Sequence, residues 1–205
     1  IKRGKIPVKS VTASFMLDSV TGYFNIVRFG EKTSQEVLEV LKSLKKQGMK
    51  QVMIDLRNNT GGYLNEAVKI ADYFLSGRKL IVYTKGRISQ ANETFAAEET
   101  YPYENMPLVV LINRASASAS EILAGAIQDW DRGLVVGERS FGKGLVQQQL
   151  QLQDGSAIRL TIAKYFTPLG RSIQRDYENR EDYYSEIETR KDETGDNLNH
   201  ELDST

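Results

Sequence analysis

Apolar residues recur along the chain at two alternating spacings. Val37, Val40, Leu41 and Leu44 fall three and four apart, the period of a helix with one buried face. Thr33 followed by Glu36 has the form of a capping box at its start, and Gly48 supplies the residue that ends it. Residues 51–57 (QVMIDLR) are a short apolar run, as a buried strand should be. The turn-rich segment 58–62 (NNTGG) follows, then a second helix across residues 64–75. Residues 80–84 and 108–112 (LVVLI) read as further strands, 90–106 as a polar connection with weak structure, and 121–130 as a third helix. This alternation predicts an α/β domain with largely parallel central strands.

Beyond the third helix the rhythm changes. Residues 134–136 are strand-like, and 146–152 faces 157–164 across Asp154-Gly155, a hairpin turn signal. Ile158, Leu160 and Ile162 alternate with Arg159, Thr161 and Ala163, which suits a half-buried strand. From Asp176 onward there are eleven acidic and three basic residues, with little apolar periodicity. That stretch reads as a polar, acidic and largely solvated tail in which Tyr177, Tyr183 and Tyr184 offer local docking points. At the other end, residues 1–11 (IKRGKIPVKSV) read as a strand entered from something upstream, since the chain begins with Ile. The expectation is a fragment whose core covers residues 12–175. No internal repeat is visible.

Composition narrows the chemistry. With 40% hydrophobic and 26% charged residues over 205 positions the chain can bury a real core. Its 27 basic and 27 acidic residues lack the electrostatic footprint of a general nucleic-acid binder, and no apolar run approaches the roughly 20 residues of a membrane span. There is no cysteine, which excludes disulfides, zinc–thiolate sites, iron–sulfur clusters and a cysteine nucleophile. His200, close to the C-terminus, is the one histidine. A histidine-based triad and a histidine-rich metal centre are therefore not expected, nor any cofactor.

Three polar loops end predicted core strands: 58–62, 113–120 and 140–144. In open α/β folds these ends are where ligands bind. Gly137-Glu-Arg-Ser-Phe-Gly-Lys143 matches the first seven positions of a phosphate-binding P-loop. The next residue is Gly144 in place of the Ser or Thr that holds magnesium, and a hairpin follows where a helix is needed. Nucleotide binding is not expected. The loop Asn113-Arg-Ala-Ser-Ala-Ser-Ala-Ser-Glu121 sets Ser116, Ser118 and Ser120 among alanines just before a helix. A helix N-terminus offers free amides to a developing oxyanion. The plainer alternative is a tight turn with Ser120 as helix N-cap.

A nucleophilic serine needs a base. Glu121 and Asp129 are carboxylates, a poor match to a serine proton at neutral pH. A lysine serves if burial keeps it neutral, because desolvation can lower a lysine pKa from ~10.4 by up to ~3–5 units. Lys143, between Gly142 and Gly144, best suits a close-packed pocket, although an exposed lysine in a glycine turn is the commoner case.

Three separated segments together resemble one family. They are Asn113-x-x-Ser-Ala-Ser-Ala-Ser-Glu-Ile, then Gly142-Lys-Gly144 with Val146-Gln147-Gln148, and Asp55-Leu-Arg-Asn-Asn-Thr-Gly-Gly62. They are similar to the carboxy-terminal processing (tail-specific) serine peptidases, and the resemblance spans residues 11–174. It implies a serine endopeptidase with Ser118 as nucleophile, Lys143 as general base and Gln147 orienting the lysine amine. It also implies an oxyanion hole from the Ala119 amide with Gly61 or Gly62, and Asp129 in a supporting place. The implied fold is a ClpP/crotonase-like spiral of ββα units. Asp55 and Arg57 are expected to pair around their strand end.

The resemblance carries further expectations. Substrates are proteins or peptides with apolar C-termini, no metal or nucleic acid takes part, and a homo-oligomer is compatible with the family. Members usually carry a PDZ domain upstream, which puts activity of this core alone in question, and they usually work outside the bacterial cytoplasm. Arg114-Ala115 departs from the small, glycine-like residues common before the serines. Two rival classes remain: a binding or scaffold module that kept the fold, and an acyl-CoA enzyme of crotonase type, whose warrant is fold sharing alone.

Overall fold

The computed structural model describes residues 8–176. The chain divides into two units, residues 1–174 and 175–205; the first contains every strand and helix described below. The acidic tail from residue 177 lies outside the described residues, as do residues 1–7.

Nine strands and three α-helices occur among the described residues. In chain order they are β1 (Ser14–Met16), β2 (Thr21–Asn25), α1 (Thr33–Lys46), β3 (Gln51–Asp55), α2 (Leu64–Asp72) and β4 (Leu80–Gly86). A 3-10 turn at Ser89–Ala91 leads to β5 (Thr94–Ala96), β6 (Leu108–Ile112), α3 (Ala119–Asp129), β7 (Leu134–Gly137), β8 (Leu145–Gln151) and β9 (Ala157–Phe166). A five-stranded sheet runs β1-β2-β3-β6-β7 and a four-stranded sheet runs β5-β4-β9-β8.

In the first sheet β2, β3, β6 and β7 are parallel and β1 closes one edge antiparallel. The register sets Ile54 beside Val110 in its middle, and both are fully buried, as expected where helices cover a parallel sheet. α1 buries Val37, Leu41 and Leu44 on one face. α3 is different: every residue from Ala119 to Ile127 is buried, so it runs through the interior and carries its N-terminus to the sheet's carboxyl end.

Several expectations change. The strand read over residues 1–11 is not seen in its described part: residues 8–11 are irregular, tied to α1 because the Ser10 and Val11 amides donate to the Glu36 carboxylate. Glu36 is thereby lost to a capping box. Thr33 lies inside α1, its hydroxyl bonded to Ser10; the N-cap residue Lys32 makes no side-chain cap, and the Ser34 amide donates instead to the Glu66 carboxylate at 2.8 Å. β4 is a strand as read, but it belongs to the second, wholly antiparallel sheet between β5 and β9. Periodicity identifies a strand without naming its partner. The polar connection contains β5, and β1–β2 is a hairpin whose turn is held by Asp18 accepting the Val20 and Thr21 amides. The predicted C-terminal hairpin forms β8–β9.

Candidate active site

The loops after β3 and β6 meet at the carboxyl end of the first sheet. Asn59, fully buried, fixes the first loop: its amide donates to the Ile26 carbonyl at 2.7 Å and its side-chain oxygen accepts the Gly61 amide at 2.8 Å. The second loop is strapped onto it. The Ala117 amide and the Ser120 hydroxyl both donate to the Asn59 carbonyl, at 3.0 and 2.9 Å. The Ser116 hydroxyl donates to the Leu56 carbonyl at 2.8 Å.

These contacts separate the three serines. Ser116 and Ser120 are fully buried and hold main-chain carbonyls. Ser118 is half-buried and stands as the N-cap residue of α3 with φ +56° and ψ −113°, a conformation uncommon for a residue with a Cβ. The expected cap, Ser120, lies inside the helix. Gly61 backs directly onto this bend: a methyl group there would come within 2.7 Å of the Ser118 Cβ and 3.0 Å of the Ala119 nitrogen. At φ +101° the position suits glycine alone.

Of the two candidate glycine donors, Gly61 spends its amide on Asn59. The Gly62 and Ala119 amides make no hydrogen bond among the described residues; Ala119 follows Ser118 in the chain, and Gly62 follows Gly61, which abuts Ser118. Phe29 grips Gly62 from behind, accepting the Tyr63 amide at 2.9 Å, while the Phe29 amide donates to the Gly61 carbonyl at 2.9 Å.

Glu121 joins the third loop to the other two. Its buried carboxylate accepts the Ser118 amide at 2.8 Å and the Lys143 amide at 2.9 Å on one oxygen. The other oxygen accepts the Ser140 hydroxyl at 2.8 Å and the Gly142 amide at 2.6 Å. The Phe141 amide adds a bond to the Ser116 carbonyl at 2.9 Å. Four donors occupy Glu121, so it holds the loops together and is no free base. The same bonds close the P-loop question, since the Gly142 and Lys143 amides face a carboxylate where a phosphate would need them, and a strand follows. Sequence reasoning passed over Glu121 in this role, although Ser118-x-x-Glu121 has the capping-box form.

The Lys143 side chain is exposed, which corrects the expectation of a lysine buried in a close-packed pocket. Its neighbour Gly144 is the buried one, pressed against Ile173 and Gln174. Gln147 lies at a bulge in β8, also exposed, and with Gly62, Tyr63, Gln149 and Arg159 it lines an open cavity of about 420 Å³. A second cavity, of about 900 Å³, reaches Gly61, Gly62 and Tyr63 from the side of Arg28 and Lys32.

Asp129 is not at this site. It ends α3, about 16 Å along the helix from Ser118 at ~1.5 Å per residue, where its buried carboxylate pairs with Arg171 and accepts the Leu169 amide at 2.9 Å. Burial would raise its pKa, but these partners outweigh burial and hold it below the usual carboxylate range. Asp55 and Arg57 pair as expected, with an Nη2–Oδ2 distance of 2.6 Å; Tyr23 also donates to Asp55, at 2.9 Å. Burial pushes the Asp55 carboxyl up, and the Arg57 and Tyr23 hydrogen bonds bring it below its ordinary value. No group of three His, Cys, Asp or Glu side chains is placed to hold a metal among the described residues.

A helix-capping serine beside helix amides without a hydrogen-bond partner among the described residues is an arrangement suited to acyl-transfer chemistry. Comparison with known proteins gives the class. The profile of peptidase family S41 matches residues 20–183, and the chain belongs to that family. A carboxyl-terminal-processing protease of Picosynechococcus sp. is 44% identical over 154 residues, covering 75% of this chain and 36% of its own. A probable CtpA-like serine protease of Staphylococcus aureus is 38% identical over 174 residues, covering 84% of this chain and 34% of its own. The chain thus spans about a third of the length of these curated relatives. Among solved structures, the photosystem II D1 C-terminal processing protease superposes with a TM-score of 0.71 at 36% identity, covering 84% of this chain and 47% of that one. A putative S41 protease from Bacteroides fragilis shares the fold at 14% identity and a TM-score of 0.70.

Proposed function

We propose that this chain is the catalytic core of a serine endopeptidase that cleaves proteins near their C-termini, with a Ser118–Lys143 dyad. The observation that carries the reading is the shared carboxylate oxygen of Glu121, which bonds the amides of both residues. It fixes the main chain of the nucleophile and of the base against each other. Ser118 Oγ attacks the substrate carbonyl and passes its proton to Lys143 Nζ. The Ala119 and Gly62 amides stabilise the oxyanion, and the lysine then protonates the leaving amine. Water, deprotonated by the same lysine, hydrolyses the acyl-enzyme. A peptide lying over the exposed Lys143 shields its amine from water. Gln147, in β8 just after the Lys143 loop, orients that amine.

The name of one curated relative, a carboxyl-terminal-processing protease, supports C-terminal processing as the activity; protein substrates with apolar C-termini are part of the proposal. The parallel strands β2, β3 and β6, joined through α1 and through α2 with β4 and β5, support a ββα spiral of the ClpP/crotonase kind. An upstream PDZ domain, self-association and a place outside the cytoplasm belong to the same reading.

The test is cleavage of an unfolded protein with an apolar C-terminus, followed by mass spectrometry. Wild type is expected to cut. Ser118→Ala, Lys143→Ala and Lys143→Arg should each lose turnover at unchanged melting temperature, since arginine cannot act as a neutral base. Wild-type rates in Ser118→Ala would end the assignment. Peptide binding without cleavage, insensitive to Lys143→Ala, would mark a binding module instead.

A further inference from the structure

Two cavities meet at Gly62 and Tyr63, and their charges differ. The larger is lined by Arg28 and Lys32 together with Glu31 and Glu36, a balanced set. The smaller is lined by Gly62, Tyr63, Gln147, Gln149 and Arg159, so among the described residues its one charged group is a guanidinium. Arg159 makes no hydrogen bond or ion pair among the described residues, and a ligand reaching it displaces no internal partner.

The strand register fixes how Arg159 relates to the rest of the site. Gln147 lies opposite Thr161 and Gln149 opposite Arg159, and opposed residues of an antiparallel pair share a face. Arg159 is therefore the diagonal neighbour of Gln147, roughly 7–8 Å away. Ile158 and Leu160 fall on the opposite face by alternation. The β8–β9 hairpin thus turns a polar face carrying two glutamines and one cation toward Gly62.

We infer that Arg159 is a specificity residue that binds a substrate carboxylate within this cavity, on a peptide whose scissile carbonyl lies at Ser118 and Gly62. The peptide identity of the ligand rests on the peptidase reading. A guanidinium matches a carboxylate through two parallel N–H donors, and the neighbouring glutamine amides add neutral donors without competing charge. The carboxylate comes from either the free C-terminus of the segment being removed or an Asp or Glu side chain near the cut.

The test uses one cleavable apolar peptide in several forms: free acid, C-terminal amide, and amides carrying a single Glu at successive positions around the cut. Wild type is expected to favour at least one carboxylate form over the plain amide by about fivefold in kcat/KM, a modest factor because the cavity is open to solvent. Preference for the free acid identifies the chain terminus as the source, and preference for one Glu form identifies a side chain. In Arg159→Gln that ratio should fall close to one. Arg159→Lys should keep part of it, and Arg159→Glu should shift the preference to a Lys-bearing amide. Added salt should reduce the wild-type ratio. Binding of the same peptides, fluorescently labelled, to Ser118→Ala with and without Arg159→Gln measures the preference without turnover. If nothing is cleaved but the binding preference collapses in the Arg159→Gln form, the carboxylate site stands and the peptidase reading falls. An undiminished ratio in Arg159→Gln, or no preference in either assay, overturns the inference.

Discussion

Ser116, Ser118 and Ser120 sit in nearly identical local sequence, yet the fold gives them three different tasks. Two spend their hydroxyls on the carbonyls of Leu56 and Asn59, and the third is held at φ +56° at the mouth of a helix. Glu121 holds that arrangement, so its removal is the most informative single change. Glu121→Gln keeps the shape but loses the charge that four donors converge on. It should cost about 2 kcal/mol, the order expected for hydrogen bonds to a charged acceptor. At ~2–4 °C per kcal/mol for a domain of this size, calorimetry should show Tm falling by roughly 4–8 °C. On the peptidase reading kcat should drop about a hundredfold with KM little changed, because the variant still binds peptide but misplaces Ser118 against Lys143. Unchanged stability would remove Glu121 from its central place. The residue types needed for all this were legible in the sequence, where the family motifs singled out Ser118 and Lys143. The choice among three serines on chemistry alone was not, because it depends on which carbonyls lie within reach after the loops fold. Lys143 was misread for a related reason: a glycine-flanked lysine suggests close packing, and the close packing falls on Gly144.

At the scale of elements, α1, β3, α2 and β6 follow directly from their apolar spacing, and α3 was read as a helix too, although it is buried on every side. What spacing misses is pairing and capping. β4 looks like any other buried strand until its hydrogen bonds go to β9 and β5, and the capping-box pattern at Thr33–Glu36 is spent on residues 10 and 11 while the same pattern at Ser118–Glu121 orders the site. The far end of α3 gives a prediction of its own. Asp129 ties that helix to the turn after β9 through Arg171 and Leu169, and its folded pKa lies below that of the unfolded chain, near ~3.9. A carboxyl with a depressed folded value contributes stability above the unfolded value, and that contribution is lost as pH falls through the folded one. Asp129→Asn should therefore narrow the stability gap between pH 7 and pH 3 in denaturant titrations. An equal gap in both proteins would show that the pair contributes nothing.

Across the whole molecule, burial is uneven. β3, β6 and α3 carry the fully buried side chains Ile54, Val110, Leu123 and Ile127, whereas most of β8 and the first half of β9 are exposed. Hydrogen exchange should follow that division. Amides of β3, β6 and α3 should open only with global unfolding, and those around the 151–157 turn should exchange orders of magnitude faster. Uniform protection would mean that something else covers the hairpin. On the proposed reading the two sheets contribute different things to one site: the rigid parallel sheet fixes Ser118 and the Ala119 and Gly62 amides, and the more open antiparallel sheet brings Gln147 and Arg159.

The Glu121 carboxylate has a consequence for how such a molecule is made. Residues 140–143 leave the ribosome after residue 118, and until they arrive the carboxylate lacks three of its four partners and the strained bend at Ser118 lacks its lock. On the peptidase reading, nucleophile and base are locked together in a single closing event. On that reading a nascent or half-folded chain carries no working cutting edge until residues 140–143 have folded against Glu121.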